Sequence, residues 1–216
     1  MSEHIGEQYK DRIRIFLIIC FLSEEWRDEN HKNRIRRLHS ETYLQKMDFL
    51  IRNPDYLCLL LIDQVTSFPD ERKTIQAQIK KMFADDEPEI KRDEMERFFY
   101  GAYEHIDDSI AFLIGLGLIE YTAMRNQAGS PIVKDYYVTQ RAIELVARDF
   151  SAFPSLIWYV ERIKLLRHYF GGYTGTQLKR LEYTIDEYSN AKLTSVIPSV
   201  ADKVRIAYEK EFGEQL

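Results

Sequence analysis

One order of elements in the middle of the chain narrows the possible folds more than anything else in it. Residues 89–100 carry a helix-like pattern, and a second helix-like run follows over 103–116. Gly117 interrupts it. Residues 118–122 read as a strand, 123–131 as a polar loop and 133–139 as a second strand, after which Thr139 opens another helix. Two helices, a β-hairpin and a third helix are the order of a winged helix-turn-helix, a module known for laying its second helix in the DNA major groove. Here that second helix presents Glu104, Asp107 and Asp108, with His105 as its only potential cation. Phosphate contacts supply most of the affinity of DNA binding and need Lys and Arg. The order of elements and the charge therefore point in opposite directions.

The charge pattern deepens the conflict. The net charge is −5, but it is unevenly spread. Residues 1–84 hold 14 basic and 13 acidic side chains, a balance of +1; residues 85–120 hold 3 and 11, a balance of −8; residues 121–216 hold 13 and 11, a balance of +2. A local field of that sign repels a polyanion and favours a basic partner surface.

The chain of 216 residues is long enough for one large or two small domains. Its pattern divides into a helical N-terminal region (1–84), a winged helix-turn-helix with one β-hairpin (85–150) and a C-terminal helical region (151–216), a mainly α fold. Residues 9–22 form one apolar-rich helix, and 23–33 are a charged connection. Tyr43, Leu44, Met47, Leu50 and Ile51 give a helix over 42–52 one broad apolar face. Asn53-Pro54 punctuates the chain, since Asn caps helices and Pro suits the first helical position. A helix over 54–65 follows, with the fully apolar run Leu57 to Ile62. Ile75, Ile79 and Met82 stripe a helix over 71–83, and residues 84–88 are an acidic linker. Past a break at 151–154, helices are expected over 154–170, 177–188 and 199–212, with a Gly-rich turn at 171–176. Only the hairpin reads as β.

The longest purely apolar stretch, Ile15 to Leu22, is too short to span a bilayer and lacks the features of a secretory signal. The expectation is a cytoplasmic protein with no membrane partner. Cys20 and Cys58 both lie in apolar runs and read as small buried hydrophobes.

No catalytic signature emerges. There is no Walker motif and no GxGxxG after a strand, and the paired carboxylates (Glu24-Glu25, Asp85-Asp86-Glu87, Asp107-Asp108) sit in polar contexts without the desolvation a general acid needs. His105 with Asp107 and Asp108 lacks metal-ligand spacing. Gly171-Gly172-Tyr173-Thr174-Gly175-Thr176 precedes a helix and so offers amides to an anion, but with no upstream strand or Lys it reads as a plain helix-to-helix turn. No cofactor, metal or small-molecule substrate is expected. Two basic clusters interleave with aromatics, a pattern able to bind nucleic acid. Arg27, Lys32, Arg34, Arg36 and Arg37 near Trp26 are diluted by acids and read as a solvated loop. Arg162, Lys164, Arg167, His168, Lys179 and Arg180 lie among Trp158, Tyr159, Tyr169 and Tyr173 and read first as the polar side of an amphipathic helix, with Arg162, Arg167, Lys179 and Arg180 kept as nucleic-acid candidates. Arg125 and Lys134 are the basic residues of the wing. These six are the candidate nucleic-acid contacts, and Glu104, Asp107 and Asp108 the candidate partner contacts.

Three segments carry a family resemblance. Lys46-Met47-Asp48-Phe49-Leu50-Ile51-Arg52-Asn53-Pro54-Asp55-Tyr56-Leu57 resembles the "LDFLLRxPDYL" segment of the small middle components of bacterial three-component ABC-ATPase conflict systems, among them the third subunit of Lamassu-type anti-phage systems. Tyr137-Val138-Thr139-Gln140-Arg141-Ala142 is similar to the "Y-x-L-T-x-x-G" that ends many wings. Thr174-Gly175-Thr176-Gln177-Leu178-Lys179-Arg180-Leu181-Glu182-Tyr183 is similar to the family's "SGxxLKxxIY". Met47 stands where Leu is usual, and Ala142 takes the Gly place. The resemblance implies a non-enzymatic subunit bridging a Rad50- or SMC-like ATPase and a nuclease-type effector, with DNA engaged mainly through the complex. Two further readings stay open: a winged-helix transcriptional repressor, which the order of elements alone favours, and an enzyme.

Overall fold

The chain's architecture, taken from a computed structural model, is described for residues 2–98, 101–125, 127, 131–149 and 154–216. In chain order the elements are α1 (Ser2–Leu22), β1 (Glu24–Glu25), β2 (Arg34–His39), α2 (Glu41–Arg52), α3 (Pro54–Gln64), a 3-10 turn (Pro69–Glu71), α4 (Arg72–Ala84), α5 (Glu87–Ile90), β3 (Arg97–Phe98), β4 (Gly101–Ala102), α6 (Asp107–Gly115), β5 (Ile119–Arg125), β6 (Pro131–Thr139), α7 (Gln140–Asp149), α8 (Pro154–Phe170), α9 (Gly175–Tyr183), α10 (Asp186–Asn190) and α11 (Ala201–Phe212). The fold is mainly helical with a small antiparallel sheet of four strands in the order β1-β2-β6-β5 and a separate β3–β4 pair. Two compact units share the chain: Met1–Asp48 with His105–Thr176, and Phe49–Glu104 with Gln177–Leu216.

In the first unit the apolar second half of α1 is buried on all sides, with Leu17, Ile18 and Ile19 sealed from water. A run apolar around the helix circumference has no solvent face to offer, so packing must surround it. Ile110 and Leu113 of α6, Ile119 of β5 and Tyr136 and Val138 of β6 complete that core with Ile163 and Leu166 of α8. Gly117 makes the α6–β5 corner at φ +69°, a left-handed conformation natural to glycine, and its N–H donates to the Ile114 carbonyl at 2.8 Å. The hairpin is in register with Tyr121 opposite Tyr136 and Thr122 opposite Asp135. Thr139 ends it: its Oγ1 donates to the Gly117 carbonyl at 2.8 Å and accepts the Ala142 N–H at 3.3 Å, capping α7. Inside the unit, Arg14 Nε donates to Asp48 Oδ1 at 2.6 Å, both side chains being fully buried.

In the second unit α3 is the buried centre, packed by α4 and α11. Phe49, Tyr56 and Tyr188 meet edge-on, with Phe49 centroids 5.0 Å from Tyr56 and 5.4 Å from Tyr188. The Tyr188 hydroxyl donates to Glu182 Oε2 at 2.6 Å and accepts the Ala102 N–H at 2.6 Å. Asp55, buried in the first turn of α3, reaches the start of α11: its Oδ2 accepts the Ser199 hydroxyl at 2.7 Å and the Val200 N–H at 2.8 Å. The Tyr56 hydroxyl donates to the Pro198 carbonyl at 2.9 Å.

The structure departs from the sequence reading in four places. The helix expected over 89–100 does not form. α5 ends at Ile90, residues 92–95 have no regular structure, Glu96 bridges to Val196 and β3 follows, and residues 99 and 100 lie outside those described. Backbone partners explain it: Asp93 N–H donates to the Arg52 carbonyl, Arg97 N–H to the Ser195 carbonyl, and the Met95 carbonyl accepts the Ile197 N–H. Long-range pairing of this kind overrides a weak helix propensity. The expected second helix starts at Asp107 rather than 103, because β4 and the Glu104 side chain are held elsewhere in the second unit. The expected 177–188 helix splits into α9 and α10 at Thr184 and Ile185. And β is not confined to the hairpin, since β2 pairs along β6 with Leu38 opposite Tyr136. The acidic linker at 84–88 lies in the second unit, and α6 with the hairpin lies in the first. Residues 126 and 128–130 of the expected loop and 151–153 of the expected break lie outside the described residues. Among the described residues no helix is long and apolar enough to cross a membrane.

Candidate partner-docking site

The first turn of α6 is where the acidic signal becomes a surface. Asp107 and Asp108 open the helix and are exposed, Asp107 to 76 %. Carboxylates in a first turn complement the helix dipole, which is sufficient reason for their place. Beside them Lys134 of β6 approaches Asp107 at 3.7 Å but holds Glu41 of α2 at 2.6 Å. Burial alone would lower the Lys134 pKa; the hydrogen bond it donates to Glu41, with the charges of Glu41 and Asp107, outweighs burial and raises it. Lys134 therefore stays charged and stays paired. Glu41, Asp107 and Asp108 against Lys134 leave this corner of the first unit negative.

Glu104, grouped with these acids by sequence, belongs to the second unit and is not on α6. Its Oε2 accepts from Arg52 Nη1 at 2.7 Å. Arg52 is buried and also donates to Asp93 Oδ1 at 3.0 Å and to the Glu94 carbonyl at 2.7 Å. Glu104 closes an internal network around a guanidinium. Nothing in the spacing of Arg52 and Glu104 announces that bond, because 52 residues separate them.

The six basic candidates are distributed between the units. Arg125 is exposed at the end of β5. Arg162 is buried, with its guanidinium 5.2 Å from the Trp158 ring centroid. Arg167 donates to the Phe21 carbonyl at 2.7 Å. These three and Lys134 lie in the first unit, and Lys179 and Arg180 lie in the second. Lys179 stands over the Tyr183 ring at 5.5 Å, and Arg180 is exposed.

The first basic cluster divides: Arg27 and Lys32 are exposed loop and turn residues, as expected, whereas Arg34, Arg36 and Arg37 lie on the strand β2. Arg34 of β2 donates to Glu120 of β5 at 2.8 Å across the intervening β6, and its guanidinium lies 4.3 Å from the Tyr137 ring centroid. That bond, then Asn33, holds the Glu120 carboxyl below the usual range. Arg36 donates to Ser23 Oγ at 3.0 Å and to the Ser23 carbonyl. Arg37 lies 3.9 Å over Trp26. Such contacts place the arginine stems on apolar surface while the charges find partners.

The Gly-rich turn lines a cavity of about 360 Å³ together with Glu24, Arg37, His39 and Tyr43. Gly175 is required there by close approach, since a Cβ would lie 2.6 Å from the Tyr43 nitrogen. His39 in the same wall is engaged by Asp135 at 2.6 Å. The turn is a packing joint against the start of α2. Cys20 and Cys58 are buried thiols outside any disulfide, Cys58 Sγ meeting Met82 Sδ at 3.3 Å, and burial pushes the Cys20 thiol far up. Among the described residues no three His, Cys, Asp or Glu side chains gather as a metal site.

Comparison of the chain with protein-family models, with curated proteins and with solved structures found no match.

Proposed function

We propose that this protein is a non-enzymatic adaptor subunit of a bacterial anti-phage or anti-plasmid defence complex, bridging an SMC- or Rad50-like ATPase and a nuclease-type effector. Its α6, β5–β6 hairpin and α7, with β2 as a third strand, serve as a winged-helix module whose recognition-helix position faces a protein. The observation that carries this reading is the exposed acidic first turn of α6, where Asp107 and Asp108 stand and the neighbouring Lys134 is paired with Glu41. A helix entering a DNA groove needs cations there, and a protein adaptor does not. The sequence resemblance supplies the partners, and DNA is met through them.

The decisive experiment co-expresses the chain with the products of its neighbouring genes and, separately, titrates the purified chain with duplex DNA at low salt. Co-purification with a long coiled-coil ATPase and a nuclease-like protein, with no shift of DNA by the chain alone, is expected. Elution of the chain by itself would end the adaptor reading. Salt-sensitive nanomolar binding to its own promoter, lost on replacing Arg125 and Lys134, would establish the repressor instead.

A further inference from the structure

Beside the acidic turn of α6 lies an apolar groove that the charge pattern alone does not reveal. Its walls are two helical stripes of the first unit. Tyr9, Ile13 and Phe16 recur along α1 at i, i+4 and i+7, and Phe112 and Leu116 recur on the α6 side at i and i+4; Leu145 of α7 closes the groove. The lining is almost wholly apolar and encloses about 210 Å³. Sites for whole small molecules are larger, roughly 300–1,000 Å³, so this volume suits one or two protruding side chains. Three of its large side chains are open to water, Tyr9 at 51 %, Leu116 at 42 % and Ile13 at 39 %. Scattered apolar residues at a surface are ordinary, whereas a contiguous group rimmed by charge marks an interaction site.

The charged rim selects the occupant. Asp108 is four residues before Phe112, which is four before Leu116, so a carboxylate begins the very stripe that lines the groove. Asp107 stands next to it in the same exposed turn. The one guanidinium in the wall, Arg12, lies over the Phe112 ring at 4.2 Å and over Tyr9 at 5.2 Å, engaged with the aromatic faces. Lys134 is held by Glu41. The composite is an apolar trough with a negative end.

We infer that this groove receives an amphipathic helix of another protein, with an apolar stripe for the trough and Lys or Arg residues at the end that meets Asp107 and Asp108. Helices laid into inter-helix grooves are read through anchors spaced i, i+3, i+4 and i+7, the spacing α1 itself presents. The apolar anchors supply affinity, and the acidic end fixes the direction in which the helix lies. The inference rests on the adaptor reading for its biological setting and names the chemistry of one docking partner.

The test uses the full-length chain and a labelled helical peptide of about 15 residues, long enough to hold helix in water, with Leu at i, i+4, i+7 and i+11 and three Lys at one end. A second peptide carries Glu in place of each Lys. Fluorescence anisotropy should show saturable binding of the Lys peptide and about tenfold weaker binding of the Glu peptide. Asp107→Lys with Asp108→Lys should invert that preference, and Ile13→Asp with Leu116→Asp should abolish binding of both. The altered positions are exposed, so circular dichroism should find these variants folded. Equal binding of the two peptides, or binding indifferent to the groove substitutions, overturns the inference. So does concentration-dependent dimerisation of the chain that Ile13→Asp with Leu116→Asp removes, because the groove would then belong to a second copy. Co-purification of the neighbouring gene products with the groove variant would sink the groove while leaving the adaptor reading standing. Peptide binding without any co-purifying protein would do the reverse.

Discussion

Asp55 and Asp108 are both carboxylates beside a helix N-terminus, yet one is sealed inside the second unit and the other faces water. Asp55 accepts from Ser199 and Val200 at the head of α11 while standing in the first turn of α3, so one side chain ties two helices whose sequence positions are 144 and 145 residues apart. Asp108 sits in the first turn of its own helix, exposed. Glu104 lies between these extremes, half-exposed but bonded to the buried Arg52. Identical chemistry serves cohesion in one place and lies open to water, where we propose a partner docks, in the other. What separates the two is whether a donor from a distant part of the same unit has arrived.

Substitutions should reproduce that gradation. The largest loss is expected for Asp55→Ala, which strands the buried Val200 N–H at the start of α11 and releases the Ser199 hydroxyl to water. Urea unfolding should show a loss of about 3 kcal/mol, with Asp55→Asn recovering part of it. Replacing Arg52 with Leu comes next. Asp93 and Glu104 are partly exposed and can rehydrate, so the loss should be about 2 kcal/mol. A drop as large as that of Asp55→Ala would mean the Arg52 network is more tightly closed than its exposed acids suggest.

Glu104→Gln should cost less than about 1 kcal/mol, because its carboxylate is open enough for water to screen the pair. Of similar size but different signature is Glu120→Gln. The Arg34 hydrogen bond depresses the folded-state pKa of Glu120. Its contribution is therefore present above the ordinary carboxylate range and fades as pH falls through the lowered folded value. Partial exposure limits that contribution to under about 1 kcal/mol. Thermal melts at neutral pH should separate wild type from Glu120→Gln, and the gap should close on acidification. A gap unchanged at low pH would deny the Arg34 bond its role.

Smallest on stability is the double change Asp107→Lys with Asp108→Lys. The helix loses two favourable first-turn charges, which at this exposure sit at the low end of the range, roughly 0.3 kcal/mol each. Its effect on co-purification with partner proteins should nevertheless be the greatest of the set. A strongly destabilised double variant would move Asp108 to the side of Asp55 and erase the contrast.

The sequence discloses these two classes unequally. Helices with an apolar stripe are visible wherever the stripe is unbroken: the expected 42–52 and 71–83 appear as Glu41–Arg52 and Arg72–Ala84. The hairpin is visible too, by its alternation and by Gly117. β2 is hidden because Arg34-Ile35-Arg36-Arg37-Leu38-His39 buries only Leu38, and its guanidiniums find their partners on β5, Ser23 and Trp26 rather than in water. Residues 92–98 mislead for the opposite reason, being acceptable helix formers whose backbone is taken by Arg52 at Asp93 and by residues 194–197 at Met95 to Arg97. For the site, exposure of Asp107 and Asp108 follows from their polar context. The Asp108-Phe112-Leu116 spacing is also present in the sequence, but its meaning depends on α1 lying alongside. The Asn53-Pro54-Asp55-Tyr56 motif looks like a signature of function and proves to be fastening, with Asp55 and Tyr56 both bonded into the approach to α11.

The pairing of β2 with β6 carries a consequence for how the chain acquires its structure. His39 and Asp135 face each other across that ladder, 96 positions apart in the chain. During synthesis β2, paired with the two-residue β1 on one edge, has no neighbour on its other edge until β6 emerges, and the second unit's Phe49–Glu104 is made in the interval. Contacts of such long sequence separation form late and slowly, and an uncovered strand edge invites pairing with other chains. A ribosome-bound nascent chain ending before 131 should expose Arg34–His39 to protease, and one extended past 139 should protect it. The arginines that disguise β2 in the sequence then gain a second use: charge on a waiting edge keeps it from finding the wrong strand first.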